Sequence, residues 1–291
     1  MRLNTRKPLI STVARKPSSI IWRIIAVSIK DDISPEMKSF LGDDCFKTVY
    51  SLKGEEFRNV KNRRTLRFIH RNKAYFIKIH KGIGWKEIFK NWLQGKRPVI
   101  GAENEYLAIR KLEELGIDTM RVYAYAGRGS NPATHESFLI TGELADKISL
   151  EDFCRNWKND PPDLHLKHAI IRELARVCSK MHFAGVNHRD CYLCHFLLDK
   201  PSLEKGKIRL FVLDLHRAEI RKRIPRRMRV KDLAGIFFSS MDLGLSKRDA
   251  LRFIAEYRKG GKLDKNLWRD VLKTAIRLYR KEWSKEPELH G

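Results

Sequence analysis

Two carboxylates, Asp190 and Asp214, frame the stretch of this 291-residue chain with the most chemistry in it, Val186 to His216. Asp190 follows His188-Arg189 in a loop after a helix, and Asp214 ends an apolar strand. One carboxylate to orient an attacking hydroxyl and a second to hold the magnesium on a nucleotide's phosphates is an arrangement for phosphoryl transfer. The same letters contain Cys191-Tyr-Leu-Cys194-His195, the spacing of a c-type haem attachment. Thioether attachment requires export, and the opening residues lack a signal peptide's cleavage site. A zinc site would need a fourth ligand, which is not evident. Cys191 and Cys194 are therefore read as small packing residues in a tight loop.

Other elements must position these groups. Thr65–His70 and Ala74–His80 form a hairpin around Arg71-Asn72-Lys73. Its period of two puts Phe76, Lys78 and His80 on one face and Tyr75, Ile77 and Ile79 on the other. Lys78 is then an ammonium among apolar neighbours, costly without a partner, unless it snorkels from an edge strand. A helix over Ala102–Leu115, capped by Gly116, carries four glutamates. Only Glu105 shares the stripe of Ala108, Ile109 and Leu112, so Glu105 is the inward carboxylate and Lys78 its partner. Ser137–Thr141 leads into Gly142-Glu143-Leu144, a hinge whose free backbone groups suit an adenine edge. A long helix, Leu166–Ala184, is stopped by Gly185 and delivers His188-Arg189-Asp190. Arg217, Arg221, Lys222, Arg223, Arg226, Arg227, Arg229 and Lys231 then crowd into fifteen residues. Further helices are read over Lys231–Ser240, Ser246–Arg258 and Asn266–Trp283.

The length and the 42% hydrophobic content suit one large domain or two lobes with a sizeable core. A formal charge of +25 predicts a polyanionic partner. A nucleic-acid-binding module rests on that charge alone, since no aromatic residues interleave with the basic run. Five cysteines at irregular spacing do not make a disulfide framework. Residues 1–36 read as a loosely tied basic extension, with Met37 an alternative start. The apolar piece Ile20–Ile29 is too short to span a membrane and carries Arg23. The helix at Trp85–Leu93 is aromatic enough to touch a lipid surface, although such stripes more often pack in a core.

Strand lysine, helix glutamate, hinge, His-Arg-Asp and metal-binding aspartate stand in the order of a two-lobed kinase. No G-x-G-x-x-G precedes Lys78; Arg63 or Arg64 are substitute donors for the phosphates. His195 stands where protein kinases place a magnesium-binding Asn, and Asp214-Leu215-His216 replaces Asp-Phe-Gly. With Y-F-I-K-I-H-K-G (75–82), K-E-I-F-K-N-W-L (86–93), P-V-I-G-A-E-N-E-Y (98–106), N-H-R-D-C-Y-L-C-H-F-L-L (187–198), L-D-L-H-R-A (213–218) and K-D-L-A-G-I-F-F-S-S-M (231–241), the chain resembles the lipopolysaccharide core heptose(I) kinase family over roughly residues 37 to 258.

The resemblance implies an α+β, two-lobed protein-kinase-like fold. An antiparallel-sheet N-lobe (37–143) and a mainly helical C-lobe (144–291) follow the extension (1–36). It implies transfer of the γ-phosphoryl group of ATP, with Mg2+, to the first heptose of the lipopolysaccharide inner core, at the cytoplasmic face of the inner membrane. Lys78 would contact the phosphates, Glu105 pair with it, and Glu143 and Leu144 line the nucleotide hinge. Asp190 would act on the sugar hydroxyl and Asp214 bind the metal. His195 would sit at the second metal position or hydrogen-bond Asp190 or the loop, because imidazole suits magnesium poorly. His188, Arg189 and Asp232 would support the loop. Arg221, Arg223, Arg226, Arg227 and Arg229 would receive the phosphates and acidic sugars of the acceptor, beside an anionic membrane surface; no nucleic acid is expected. A protein kinase, a kinase of another envelope sugar and a pseudokinase remain alternatives.

Overall fold

Arg71 (φ 47°) and Asn72 (φ 59°) both adopt left-handed backbone, the pattern of a two-residue hairpin turn that matches the strands' own twist. They join two strands, each of eight residues, that form the middle of the N-lobe sheet. The computed structural model describes residues 30–60, 62–94 and 98–288. In chain order the N-lobe comprises β1 (Asp32–Ile33), α1 (Pro35–Leu41), α2 (Cys45–Ser51), β2 (Glu55–Val60), β3 (Arg63–His70), β4 (Lys73–His80), α3 (Gly84–Leu93), α4 (Glu103–Glu114), β5 (Asp118–Thr119), β6 (Val122–Arg128) and β7 (Glu136–Gly142). Six of its strands make one antiparallel sheet, in the order β1-β6-β7-β4-β3-β2.

The alternation along β4 is as the sequence suggests. Tyr75, Ile77 and Ile79 bury under α1 and α2 with Leu66, Phe68, Phe138 and Ile140. Lys78 and His80 project from the other face, towards α4 and the C-lobe. Residues 30–36 do not belong to a loose extension. β1 pairs with β6, Ser34 caps α1, and Glu36 and Asp32 accept hydrogen bonds from the hydroxyls of Tyr75 (2.9 Å) and Tyr106 (2.8 Å). A start at Met37 would delete these contacts. The piece Ile20–Ile29 lies outside the described residues.

The C-lobe comprises β8 (Lys147–Ser149), α5 (Leu150–Cys154), α6 (Leu164–Phe183), β9 (Val186–Asn187), β10 (Phe196–Asp199), α7 (Lys200–Glu204), β11 (Leu210–Val212), β12 (Glu219–Ile220), α8 (Arg226–Ser240), α9 (Lys247–Tyr257) and α10 (Lys265–Trp283). Ile170, Leu174, Val177, Cys178 and Met181 of α6 are buried, the stripe their spacing predicts. The larger apolar core runs without a break from these residues to Ala108, Ile109 and Leu112 of α4. That continuity fixes α4, and with it Glu105, relative to the C-lobe. An apolar cavity of about 600 Å3 opens between α6, α8 and α9, lined by Leu174, Leu193, Ile236, Phe253 and Trp268. It does not contain the ionisable groups singled out from the sequence. Among the described residues no helix is long and apolar enough to cross a membrane.

Candidate active site

Lys78 leaves the cleft face of β4 and donates to Glu105 Oε1 at 2.6 Å. Glu105 is 1% exposed, on the α4 stripe that its spacing selected. Its other oxygen, Oε2, is enclosed and has no partner among the described residues. Lys78 Nζ also lies 3.8 Å from Asp214 Oδ1, so strand lysine, helix glutamate and strand-end aspartate meet at one point.

Asp214 has left-handed backbone (φ 55°), which turns its carboxylate out of β11's line and into the cleft. Burial would raise its pKa, but the hydrogen bond from His216 Nδ1 and the charges of Lys78 and His195 hold it well below the usual carboxylate range. A permanently ionised, partly exposed carboxylate suits a magnesium ion that takes its remaining ligands from nucleotide phosphates and water. His195 lies between the Asp190 loop and Asp214. Its Nδ1 donates to the Asp190 carbonyl at 2.7 Å and its Nε2 faces Asp214 Oδ2 at 3.6 Å. Burial works against its charge, yet Cys194, that carbonyl and Asp214 push its pKa up to about 9. It bridges the backbone of one aspartate to the carboxylate of the other.

The loop that carries Asp190 is held from below. At Gly185 (φ +85°) a Cβ would stand 1.9 Å from the Arg221 carbonyl, so only glycine lets α6 turn into β9 there. Asp232, on α8 and 1% exposed, accepts from the backbone amides of His188 (2.8 Å) and Arg189 (2.9 Å) and from the Asn187 side chain. Burial favours its neutral form, but these donors and His182 beneath it keep its pKa low. His188 is fully buried, kept neutral by that burial, and donates from Nε2 to the Leu213 carbonyl (2.8 Å). It thereby ties the Asp190 loop to the strand before Asp214. Arg189, another left-handed residue (φ 72°), pairs with Glu219 at 2.8 Å. Non-glycine residues in this conformation cost energy and cluster where function over-determines the backbone. Cys191 packs against Cys178 in the core, 2% exposed, as the packing reading expects.

At the hinge, the Glu143 side chain is gripped by Arg67 (2.6 and 3.0 Å) and its amide donates to the Ala74 carbonyl (3.0 Å). The Leu144 amide has no acceptor among the described residues. The arginines expected to bind the acceptor divide. Arg221, Arg223, Arg226 and Arg227 are all exposed, but Arg221 is engaged by Glu219 and Arg226 by Asp270 (2.6 Å). α8 starts at Arg226, five residues earlier than the spacing suggests, so Arg226, Arg227 and Arg229 occupy its first turns. Cations at the positive end of a helix dipole are unfavourable, with no capping side chain to relieve them.

Two site residues carried no sequence signal of their own. Arg217 donates to both oxygens of Asp190, and His216 to Asp214. Both fall within three residues of Asp214, in the L-D-L-H-R-A stretch.

Residues 47–257 match the lipopolysaccharide kinase (Kdo/WaaP) family. The lipopolysaccharide core heptose(I) kinase WaaP of Escherichia coli is 49% identical over 217 residues, 74% of this chain and 82% of that protein. The protein of the same name from Pseudomonas aeruginosa is 49% identical over 225 residues, 77% of this chain and 84% of its own. A solved structure, WaaP in complex with acyl carrier protein, superposes with a TM-score of 0.74 at 39% identity, covering 88% of this chain and all of that one. With matches of this extent and a kinase-like cleft in which Lys78, Glu105 and Asp214 converge, the chain belongs to the lipopolysaccharide kinase (Kdo/WaaP) family.

Proposed function

We propose that this chain transfers the γ-phosphoryl group of ATP to the first heptose of the lipopolysaccharide inner core. The observation that carries the reading is the convergence of Lys78, Glu105 and Asp214, coupled through His195 to the Asp190 loop. Glu105 holds the Lys78 ammonium, which pairs with the phosphates. Asp214 receives the magnesium of MgATP, which when bound neutralises charge developing on the transferred group. Asp190, oriented by Arg217, accepts the hydrogen bond of the sugar hydroxyl and directs its attack.

The acceptor's phosphates and carboxylates are met by the basic segment that enters α8. Arg223 and Arg227 are the exposed forks, and Arg221 and Arg226 hold the segment through Glu219 and Asp270. The enzyme works at an anionic membrane surface on the cytoplasmic side. α3 supports this reading, since Trp85, Phe89 and Leu93 stand exposed on one edge of the helix beside Lys86 and Lys90. Because the solved WaaP relative is in complex with acyl carrier protein, an acyl carrier protein is a further partner to test by co-elution.

The decisive experiment is transfer of labelled phosphate from ATP to heptose-containing core lipopolysaccharide, by wild type and Asp190→Ala. Incorporation by the wild type alone is expected. Equal incorporation by both would remove Asp190 from the mechanism, and label confined to protein would favour a protein kinase.

A further inference from the structure

Kinase clefts cover the nucleotide phosphates with a glycine-rich loop, and none precedes Lys78 here. In that place the turn from β2 to β3 delivers Arg63, the first residue of β3, paired in register with His80. Along β3 the strand period sets Arg63 and Thr65 on the face that bears Lys78 and His80, and puts Arg64 with Leu66 and Phe68 on the other. Arg64 is already satisfied there, 2.7 Å from Glu56. Arg63 has no hydrogen bond or ion pair among the described residues, and its Nε is shut off from solvent without an acceptor. The His80 Nε2 and Glu105 Oε2 atoms are enclosed and unpartnered in the same way. Burial lowers the Arg63 pKa while the Glu105 and Asp214 carboxylates oppose the shift, so its charge stands within range of the group that also holds Lys78. Enclosed polar atoms without partners are rare in folded proteins, and a cluster of them calls for a missing ligand.

We propose that Arg63 is the phosphate clamp of this cleft: its guanidinium grips the β- and γ-phosphates of the nucleotide in place of the missing loop amides. The proposal rests on the kinase reading above. A planar fork matches phosphate oxygens bidentately, and held on a strand opposite His80 it is oriented before the nucleotide arrives. Arg64 has no such role.

Binding of ATP, ADP and AMP with magnesium, without acceptor, tests the clamp by calorimetry on wild type, Arg63→Gln, Arg63→Lys and Arg64→Gln. Arg63→Gln is expected to weaken ATP and ADP about 10- to 100-fold, the worth of a charged hydrogen bond, and AMP by less than about 3-fold. Arg63→Lys, a point charge without the fork, recovers part of the loss, and Arg64→Gln binds like wild type. Unfolding midpoints measured without nucleotide establish that each variant is folded. Equal losses for ATP, ADP and AMP would make Arg63 a packing residue, and unchanged ATP binding by a folded Arg63→Gln would overturn the clamp directly. Wild type that binds none of the three nucleotides would overturn the kinase reading itself.

Discussion

One nitrogen of Arg217 spans the carboxylate of Asp190, 2.8 Å from Oδ1 and 3.1 Å from Oδ2. Arg217 belongs to the segment after Asp214, so this bond joins the two aspartates' loops at the Asp190 carboxylate, while His195 joins them at the Asp190 carbonyl. Asp190→Asn should lower kcat by about 10²- to 10⁴-fold, the usual contribution of a positioned base. Arg217→Gln removes one charged hydrogen bond and should lower kcat about 10- to 100-fold with KM for ATP nearly unchanged. Steady-state kinetics against ATP and acceptor separate the two. An unchanged kcat in Arg217→Gln would mean that the bond does not orient Asp190 for catalysis.

Glu105→Ala strips Lys78 of its 2.6 Å partner and leaves Asp214 at 3.8 Å. Removing one partner of a buried pair costs about 3–5 kcal/mol; with Lys78 one-fifth exposed to water, the lower end is expected. The freed lysine swings towards Asp214 and competes with the metal for its carboxylate. KM for MgATP should rise about tenfold or more, the equivalent of about 1.4 kcal/mol, and thermal unfolding should shift downwards. Unaltered ATP kinetics would separate Glu105 from the nucleotide.

Asp232 serves two loop amides, the Asn187 side chain and His182 with one buried carboxylate. Asp232→Ala leaves those donors buried and unpaired, at about 1–3 kcal/mol for each. The variant should unfold well below wild type, and hydrogen exchange at His188 and Arg189 should accelerate more than exchange in the distant N-lobe strands. Uniform acceleration everywhere would argue against a local anchor.

His135 and Glu103 supply a pH test away from Asp214. The hydrogen bond to Glu103, helped by the Gly129 carbonyl, raises the His135 pKa, and His135 in turn lowers that of Glu103 against the effect of burial. The His135 contribution to stability is complete below the unfolded value of about 6.5 and is lost as pH rises through its raised folded value. The Glu103 contribution is complete above about 4.3 and is lost as pH falls through its lowered folded value. Unfolding midpoints of wild type should therefore fall as pH rises beyond about 6.5, and His135→Gln should flatten that decline. Parallel curves for the two proteins would exclude the pair as its source.

The hairpin, the burial of Glu105 and the α6 stripe were legible because each is a periodic pattern within a single element, which one sequence displays in full. Lys78 and Glu105 could be paired across the chain because each is the inward charge of its own element, but Arg217 to Asp190 and Arg67 to Glu143 depend on chain reversals that leave no spacing signal. The start of α8 is hidden for another reason. Three arginines at a helix N-terminus contradict the dipole rule, so the residue pattern points to a start beyond them. On α10, Leu272 is 40% exposed although it neighbours the buried Val271, while Tyr279, bonded to Asp242 through its hydroxyl, faces inward. The order of motifs located the cleft, but the register of β3 on β4 is what separates Arg63 from Arg64.

The short pairing of β9 with β12 limits how this enzyme can change. Glu219 lies opposite Asn187 and Ile220 opposite Val186, and the Arg221 amide donates to the Gly185 carbonyl at 2.9 Å. This clasp closes a ring that contains both aspartates. One residue inserted between Asp214 and Glu219 would shift the register and turn Glu219 away from Arg189. Insertions between Lys222 and Arg223, both exposed, fall outside the ring and leave it intact. New charge for a different acceptor can therefore be added only on the far side of the clasp, where lengthening the chain does not disturb the distance between Asp190 and Asp214.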